Sequence, residues 1–311
     1  MLRSVSKKHK KELYFSLLFI GTLTISALGY FFVTPIQHFI EDTYHGVFKV
    51  IVADRILKDD AVIYSNIAYC GSDNPRQTLD LYRPSVDVGQ EVPLVVFIHG
   101  GAWQAGDKST TLLSYYGEDI LKSGIAIAAL NYRLYPEVSY PKQNTDIACA
   151  LAFLRANSRN YDISADTWAI FGDSAGAQLG AYAMSDETIN APLKLFIGFY
   201  GPYDMSAQVV RKPNPDLPAF RYTNSGRDAI LASPLTRPAK KDATYMLLHG
   251  ENDRVVHIDQ SEKFYQKLLD EGVAVTFTRV QHATHYFSPM TRPTSQTIKH
   301  TITTLLTSKL Q

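Results

Sequence analysis

The sequence predicts an α/β fold in which a mostly parallel central sheet is flanked by helices. Two observations indicate this fold: short continuous apolar runs, typical of strands buried on both faces, and helix-length stretches between those runs. The apolar runs cover 93–98, 125–130, 168–171, 193–199, 245–248 and 273–277. The predicted helices cover 144–156, 175–184 and 259–271. Because strands and helices alternate, we expect functional residues at the carboxyl ends of the strands.

Length and composition indicate one large globular domain, which we place at residues 61–311. The chain has 311 residues, of which 45% are hydrophobic and 20% are charged, so it can bury a full core. Its formal net charge is only +1. The globular part contains no basic run with interleaved aromatic residues, so we expect no nucleic-acid partner.

The N-terminus differs in character from the rest of the chain. Residues 1–12 are basic, and residues 13–34 contain no charged side chain. At about 1.5 Å per residue, this apolar stretch is long enough to cross a bilayer core of roughly 30 Å. We therefore predict a transmembrane anchor with a cytoplasmic N-terminus and the globular domain on the other side, in the periplasm if the protein is bacterial. A cleaved signal peptide, which would give a secreted protein, is the alternative.

Two further segments break the alternation of strands and helices. Residues 35–60 carry aromatic and aliphatic side chains at helix-like intervals, which predicts an amphipathic connector. Residues 202–242 are rich in proline, which predicts a small irregular cap. Either segment could cover a functional site, and the sequence does not choose between them.

The chain has two cysteines, Cys70 and Cys149, which are too few for a disulfide framework. Cys149 lies in an apolar stretch of a predicted helix. We therefore expect it to act as a small buried hydrophobic residue.

A serine between two glycines follows the apolar run 168–171, in the stretch Gly172-Asp173-Ser174-Ala175-Gly176. This pattern is typical of a strand that turns sharply into a helix. Such a turn holds its central residue in a strained conformation, and glycines are needed where strand and helix approach each other. We therefore predict Ser174 as a nucleophile.

A serine nucleophile needs a base within hydrogen-bond reach and an acid that orients the base. We predict His285 as the base, because it lies in the loop after the last strand; His282 is the alternative. We predict Asp253 as the acid, because it lies in the turn after the preceding strand; Glu251 and Asp204 are the alternatives.

An oxyanion site is expected beside the nucleophile. The stretch His99-Gly100-Gly101-Ala102-Trp103 directly follows a predicted core strand. Consecutive glycines allow backbone N–H groups to approach a substrate carbonyl and stabilise its developing negative charge. The predicted oxyanion donors are the amides of Gly100, Gly101 and Ala175.

The order nucleophile, acid, base along the chain is the order found in α/β-hydrolases. The stretches that carry the resemblance are 99–103 with 106–108, 131–134, 172–176 and 249–253. On these motifs the chain, from about 79 to 287, resembles the α/β-hydrolase superfamily, and within it the esterases related to hormone-sensitive lipase and the feruloyl-esterase-like and kynurenine-formamidase-like hydrolases.

The resemblance implies a serine hydrolase that cleaves carboxylic esters of small or medium apolar substrates through an acyl-enzyme intermediate. By this resemblance, Ser174 would be acylated, His285 would carry the proton, and Asp253 would orient the histidine. No metal or organic cofactor is expected. An amidase or peptidase of the same fold is the first alternative, and a non-catalytic binding protein on this fold is the second.

Overall fold

A computed structural model describes residues 61–86, 89–109, 111–209, 218–287 and 291–311 of the protein. Its strands are β1 (Ala61–Ala68), β2 (Thr78–Pro84), β3 (Val92–Ile98), β4 (Ala126–Leu130), β5 (Ile163–Asp173), β6 (Leu193–Phe199), β7 (Thr244–Gly250) and β8 (Ala274–Val280). Its α-helices, within those residues, are α1 (Thr111–Lys122), α2 (Lys142–Ala156), α3 (Ala175–Met184), α4 (Met205–Val209), α5 (Pro218–Thr223), α6 (Gly226–Ala232), α7 (Asp259–Asp270) and α8 (Arg292–Leu310).

The strands form one sheet in the order β1-β2-β4-β3-β5-β6-β7-β8. Strands β3 to β8 pair in parallel, whereas β1 pairs antiparallel with β2, and β2 antiparallel with β4. The predicted mostly parallel sheet is therefore confirmed. The strand order reverses at β3, which lies between β4 and β5, with Ile98 opposite Gly172 at their carboxyl ends. Open parallel sheets bind ligands at such a reversal.

The inner strands of the sheet are buried on both faces. Side chains along a strand point alternately to opposite sides, and each side packs in a core cluster. Along β3, Leu94 and Ile98 pack in one core cluster and Val95 and Phe97 in the other. Helices α2, α3 and α7 contribute to the first cluster, and α1 and α8 contribute to the second. The helices thus cover both faces and leave the carboxyl ends of the strands to carry the loops.

Residues 273–277 lie largely within a strand as predicted, but the prediction that this strand is buried on both faces is wrong. This run forms β8, which pairs with β7 alone at the edge of the sheet, and its side chains alternate between exposed and partly buried.

The proline-rich region 202–242 contains the short helices α4, α5 and α6 rather than long regular elements. Residues 210–217 of that region lie outside the described residues.

The expectation for Cys149 is also wrong, because the two cysteines form a disulfide. Cys70 lies in the turn between β1 and β2, and Cys149 lies in α2, with their Cα atoms 5.6 Å apart. The pairing joins two segments that are far apart in the sequence, so it depends on how the turn packs against the helix.

The predicted basic N-terminus (1–12), membrane anchor (13–34) and amphipathic connector (35–60) lie outside the described residues. Among the helices that the structure does describe, none is long and apolar enough to cross a membrane.

Candidate active site

Ser174 lies at a sharp turn between β5 and α3, as the glycine pattern predicts. Its φ of 49° is in the left-handed region, a conformation that costs about 1–3 kcal/mol for a residue with a side chain. A Cβ added to Gly172 would lie 2.5 Å from the carbonyl oxygen of Gly176, and one added to Gly176 would lie 2.0 Å from that of Ile98. Both glycines are therefore required for the close approach of α3 to the sheet.

Three predicted residues come together at this turn. The Oγ of Ser174 lies 3.2 Å from Nε2 of His285, and Nδ1 of His285 lies 2.6 Å from Oδ2 of Asp253. The three side chains follow β5, β7 and β8, and all three residues are buried. The arrangement gives a hydroxyl a base, and gives that base an orienting carboxylate.

The alternative acids and base do not join this chain of contacts. Glu251 and His282 are exposed. Asp204 instead accepts hydrogen bonds from the hydroxyl of Ser206 and the amide of Ala207, so it caps the start of α4.

Asp253 is held as an anion by four neighbouring donors. Its Oδ1 accepts the backbone N–H groups of Val255 and Val256, at 2.8 and 2.9 Å. Burial acts to raise the pKa of Asp253, but hydrogen bonds from His249 and His285 outweigh burial and hold the pKa well below its usual range. The carboxylate is therefore ionised at neutral pH, as a group that stabilises a histidinium must be.

The glycine loop after β3 differs in one respect from its prediction. The N–H of Gly100 donates to Oδ1 of Asp173 at 2.9 Å, so this amide, which we expected to face a substrate, already has an acceptor. Gly101, with a φ of 113°, donates its N–H to no partner within the described residues. Ala175 is the first residue of α3, and an amide at that position has no acceptor within its helix. Gly101 and Ala175 thus have amides available for an oxyanion.

Asp173 is a buried carboxylate next to Ser174, and its pKa departs from the ordinary value. Burial raises the pKa to about 6, although the N–H of Gly100 and the charge of His285 act in the opposite direction. The sequence marks Asp173 only as the variable residue of the glycine–serine motif, so its contact with the glycine loop could not be read from the pattern.

Gln178 is another residue of the site region that no sequence motif marks. It is fully buried in α3, accepts a hydrogen bond from Nε1 of Trp103 at 3.0 Å, and donates to the carbonyl of Ala232 at 2.8 Å. The Trp103 ring stacks on Tyr222, with ring centroids 4.5 Å apart. The glycine loop is thus fixed to both helix α3 and the proline-rich region.

A salt bridge supports the neighbouring loop. Arg133, just after β4, binds Asp146 of α2 through Nη2 at 2.6 Å and through Nε at 2.9 Å. Asp146 is fully buried, and its Oδ1 also accepts from Gln77. These contacts fix the loop after β4 against α2.

The large aromatic residues near the site are buried, with one exception. Tyr132 and Tyr200 are buried, and Phe287 packs on the Tyr200 ring at 4.9 Å. Tyr286 is the exception, since 67% of it is exposed beside His285. In the described part of the chain, no group of three or more His, Cys, Asp or Glu side chains could hold a metal ion.

Taken together, the sheet topology, the turn at Ser174 and the order of the three side chains define an α/β-hydrolase. The chain belongs to the BD-FAE family, whose model matches residues 79–268.

Curated proteins that are similar to the chain carry esterase names. The chain is 27% identical over 241 residues to esterase LipQ of Mycobacterium tuberculosis, covering 72% of this chain and 57% of that protein. It is 26% identical over 235 residues to isoprenylcysteine α-carbonyl methylesterase ICME of Arabidopsis thaliana, covering 68% and 54%. The chain thus spans about half the length of the curated relatives that it matches.

Solved structures support the fold. An arylesterase structure superposes with a TM-score of 0.69 at 20% identity, covering 94% of this chain and 97% of that one. A truncated carbohydrate esterase from gut microbiota superposes with a TM-score of 0.70 at 21% identity, covering 80% and 98%.

Proposed function

We propose that the protein is a serine hydrolase that cleaves carboxylic esters through an acyl-enzyme intermediate. The observation that carries the proposal is the buried chain of contacts from Ser174 through His285 to Asp253. Membership of the BD-FAE family and the esterase names of the relatives support the same reaction.

In the proposed acylation step, Oγ of Ser174 attacks the ester carbonyl while Nε2 of His285 takes the hydroxyl proton. Asp253 stays ionised and stabilises the histidinium through Nδ1. The amides of Gly101 and Ala175 donate to the tetrahedral oxyanion, a contribution of about 3 kcal/mol per donor to the barrier. The histidinium then protonates the departing alcohol, which leaves Ser174 acylated.

In the proposed deacylation step, His285 removes a proton from water, and the resulting hydroxide equivalent attacks the acyl carbonyl. The histidinium returns that proton to Oγ of Ser174 as the carboxylic acid leaves. Each proton taken by His285 is given back, so the cycle closes without a metal or organic cofactor.

For the substrate we propose small or medium apolar esters. The Asp173 carboxylate next to the nucleophile disfavours an anionic group near the scissile bond. The exposed Tyr286 ring beside His285 offers apolar surface to an acyl or alcohol group.

A series of p-nitrophenyl esters of increasing acyl length tests the proposed reaction. We expect hydrolysis by the full-length protein and its loss in Ser174→Ala, with the circular dichroism spectrum unchanged. Ser308→Ala, which removes an exposed hydroxyl in α8, is the matched control and should keep full activity. Turnover by Ser174→Ala equal to that of the wild type would contradict the mechanism. Matched p-nitroanilides separate an esterase from an amidase, since faster anilide cleavage would favour the amidase.

We further propose that the domain works outside the cytoplasm, tethered by the apolar segment 13–34. The Cys70–Cys149 disulfide supports this location, because disulfides persist in oxidising compartments and are rare in the cytosol. Thiol alkylation in intact cells tests the location. Both cysteines should resist alkylation until a reductant is added, whereas alkylation without reductant would contradict it. Retention of the protein in carbonate-washed membranes tests the tether.

A further inference from the structure

The carboxylate of Asp253 is shared by two imidazoles. Its Oδ2 lies 2.6 Å from Nδ1 of His285 and 3.2 Å from Nε2 of His249. His249 lies in β7 and is fully buried, so it reaches the carboxylate from inside the sheet while His285 reaches it from the loop after β8. The proposed reaction uses only His285, which leaves the contact of His249 to be explained.

The partners of His249 determine which of its nitrogens carries hydrogen. Nε2 lies 2.8 Å from the carbonyl oxygen of Val256, which can only accept, and faces Oδ2 of Asp253, which is ionised. Nε2 must therefore carry the proton. Nδ1 lies 2.7 Å from Oγ of Ser261, and in a neutral imidazole this nitrogen accepts the hydroxyl hydrogen of the serine. The two acceptors at Nε2 thus impose the Nε2–H form of His249, and the Ser261 hydroxyl satisfies the remaining nitrogen.

Four N–H groups face the carboxylate. Two backbone amides donate to Oδ1, Nδ1–H of His285 donates to Oδ2, and the single Nε2–H of His249 is shared between Oδ2 and the carbonyl of Val256. A carboxylate has about four acceptor sites, so no free site remains that would favour a rotated position of the Asp253 side chain. The contacts form a chain in which a histidine and then a serine lie on each side of the carboxylate: Ser174, His285, Asp253, His249 and Ser261.

We propose that His249 is a positioning residue for the Asp253 carboxylate, and that Ser261 holds the His249 ring in place through its hydrogen bond to Nδ1. The inference rests on the proposed esterase mechanism. His249 touches neither substrate nor the reacting hydroxyl; it acts by fixing Oδ2 where His285 needs it. Loss of this contact therefore affects the chemical step more than substrate binding.

Substitutions at His249 test the proposal in the full-length protein. His249→Leu removes the donor, and we expect kcat for a p-nitrophenyl ester to fall roughly tenfold while KM stays within about twofold, the size of one lost hydrogen bond to a charged group. His249→Gln places a side-chain N–H near the position of Nε2, so it should restore most of kcat. Equal kcat in the wild type and a folded His249→Leu protein would overturn the proposal, as would equal losses in the Leu and Gln variants.

A second measurement needs neither turnover nor a large substitution in the core. In 15N-histidine-labelled protein, NMR of the ring nitrogens reports the tautomer of each imidazole, and the His249→Gln variant assigns the His249 signal. We expect an Nε2–H imidazole in the wild type and in Ser261→Ala, with a shifted Nδ1 resonance in Ser261→Ala because this nitrogen loses its hydrogen bond. An Nδ1–H tautomer in the wild type would overturn the role given to His249, and an unchanged Nδ1 resonance in Ser261→Ala would overturn the role given to Ser261. Absence of Ser174-dependent hydrolysis would instead count against the proposed function, and the NMR result would still decide the tautomer.

Discussion

The N–H of Gly100 donates to Oδ1 of Asp173 across the ends of the adjacent strands β3 and β5. This single contact joins the glycine loop to the turn that carries Ser174. It also explains why position 100 needs glycine, because an added Cβ would lie 2.8 Å from Oδ2 of Asp173 and 2.9 Å from its backbone oxygen. A buried carboxylate therefore helps to fix the position of the glycine loop relative to Ser174.

The first prediction concerns the pH dependence of stability. Burial raises the pKa of Asp173 to about 6 in the folded protein, whereas an unfolded aspartate ionises near 3.9. The stability that Asp173 contributes is thus fully present below about pH 4 and is lost as the pH rises through about 6. Asp173→Asn keeps an oxygen that can accept from Gly100 and removes this loss.

Urea unfolding at pH 4 and at pH 7.5 measures the effect. Between these two pH values, the free energy of unfolding of Asp173→Asn should gain about 2–3 kcal/mol relative to the wild type. Asp166→Asn, which alters an exposed carboxylate in the same strand, is the control. The same pH response in Asp173→Asn and the wild type would show that the Asp173 carboxylate is not destabilised by burial.

The second prediction concerns the orientation of His285. Asp253→Asn replaces the acceptor at Oδ2 with a group of the same shape, so the ring loses the partner that fixes its Nδ1–H form. We expect kcat for ester hydrolysis to fall by about 10⁴, as it does when the acid of a comparable triad becomes an amide. Steady-state kinetics on a folded variant measure the loss, and Glu251→Gln, at an exposed carboxylate in the same turn, should be nearly silent.

The third prediction concerns Gln178. Gln178→Met keeps the length of the side chain but leaves the buried Nε1 of Trp103 and the carbonyl of Ala232 without their partner. Unsatisfied buried polar groups cost about 1–3 kcal/mol each, so the free energy of unfolding should fall by at least that amount. Urea unfolding tests this, with Gln266→Met on the exposed face of α7 as the matched control. If both variants unfold at the same urea concentration, the contacts of Gln178 do not stabilise the loop.

The fourth prediction concerns the Cys70–Cys149 disulfide, whose cysteines are separated by 79 positions. A cross-link over a loop of this length stabilises a protein typically by about 2–4 kcal/mol, by restricting the unfolded chain. Adding dithiothreitol should lower the midpoint of thermal unfolding. The double variant Cys70→Ala, Cys149→Ala should unfold at the lower midpoint with or without reductant; a midpoint in the untreated double variant equal to that of the oxidised wild type would contradict a stabilising bond.

The strands near the centre of the sheet could be predicted from sequence because burial on both faces leaves continuous apolar runs. Ser174, Asp253 and His285 could be selected because each follows such a run in an order that few folds share. The structure brings the three side chains together. Strands β1, β2 and β8 are harder to predict. The first two contain polar or charged side chains and so form no continuous apolar run, and neither is predicted. The burial of β8 is misjudged, because a strand with one neighbour is only partly covered.

The contacts that could not be predicted from the sequence all join segments that are far apart along the chain. The Cys70–Cys149 pair, the bond from Gly100 to Asp173, and the approach of His249 to Asp253 depend on how separate loops pack. None of them has a local pattern that distinguishes it from an ordinary turn or core residue. These contacts depend on tertiary packing, so the three-dimensional structure is needed to identify them.

The most direct test of the account is covalent labelling of the wild-type protein with a fluorophosphonate, followed by peptide mass spectrometry. An activated serine attacks the phosphorus and displaces fluoride, whereas an ordinary hydroxyl does not react. We predict a single adduct on Ser174, formed rapidly in the wild type, much more slowly in Asp253→Asn and absent in Ser174→Ala. A folded wild-type protein that remains unlabelled at Ser174, or that is labelled at a different serine, would contradict the central claim that Ser174 is the nucleophile.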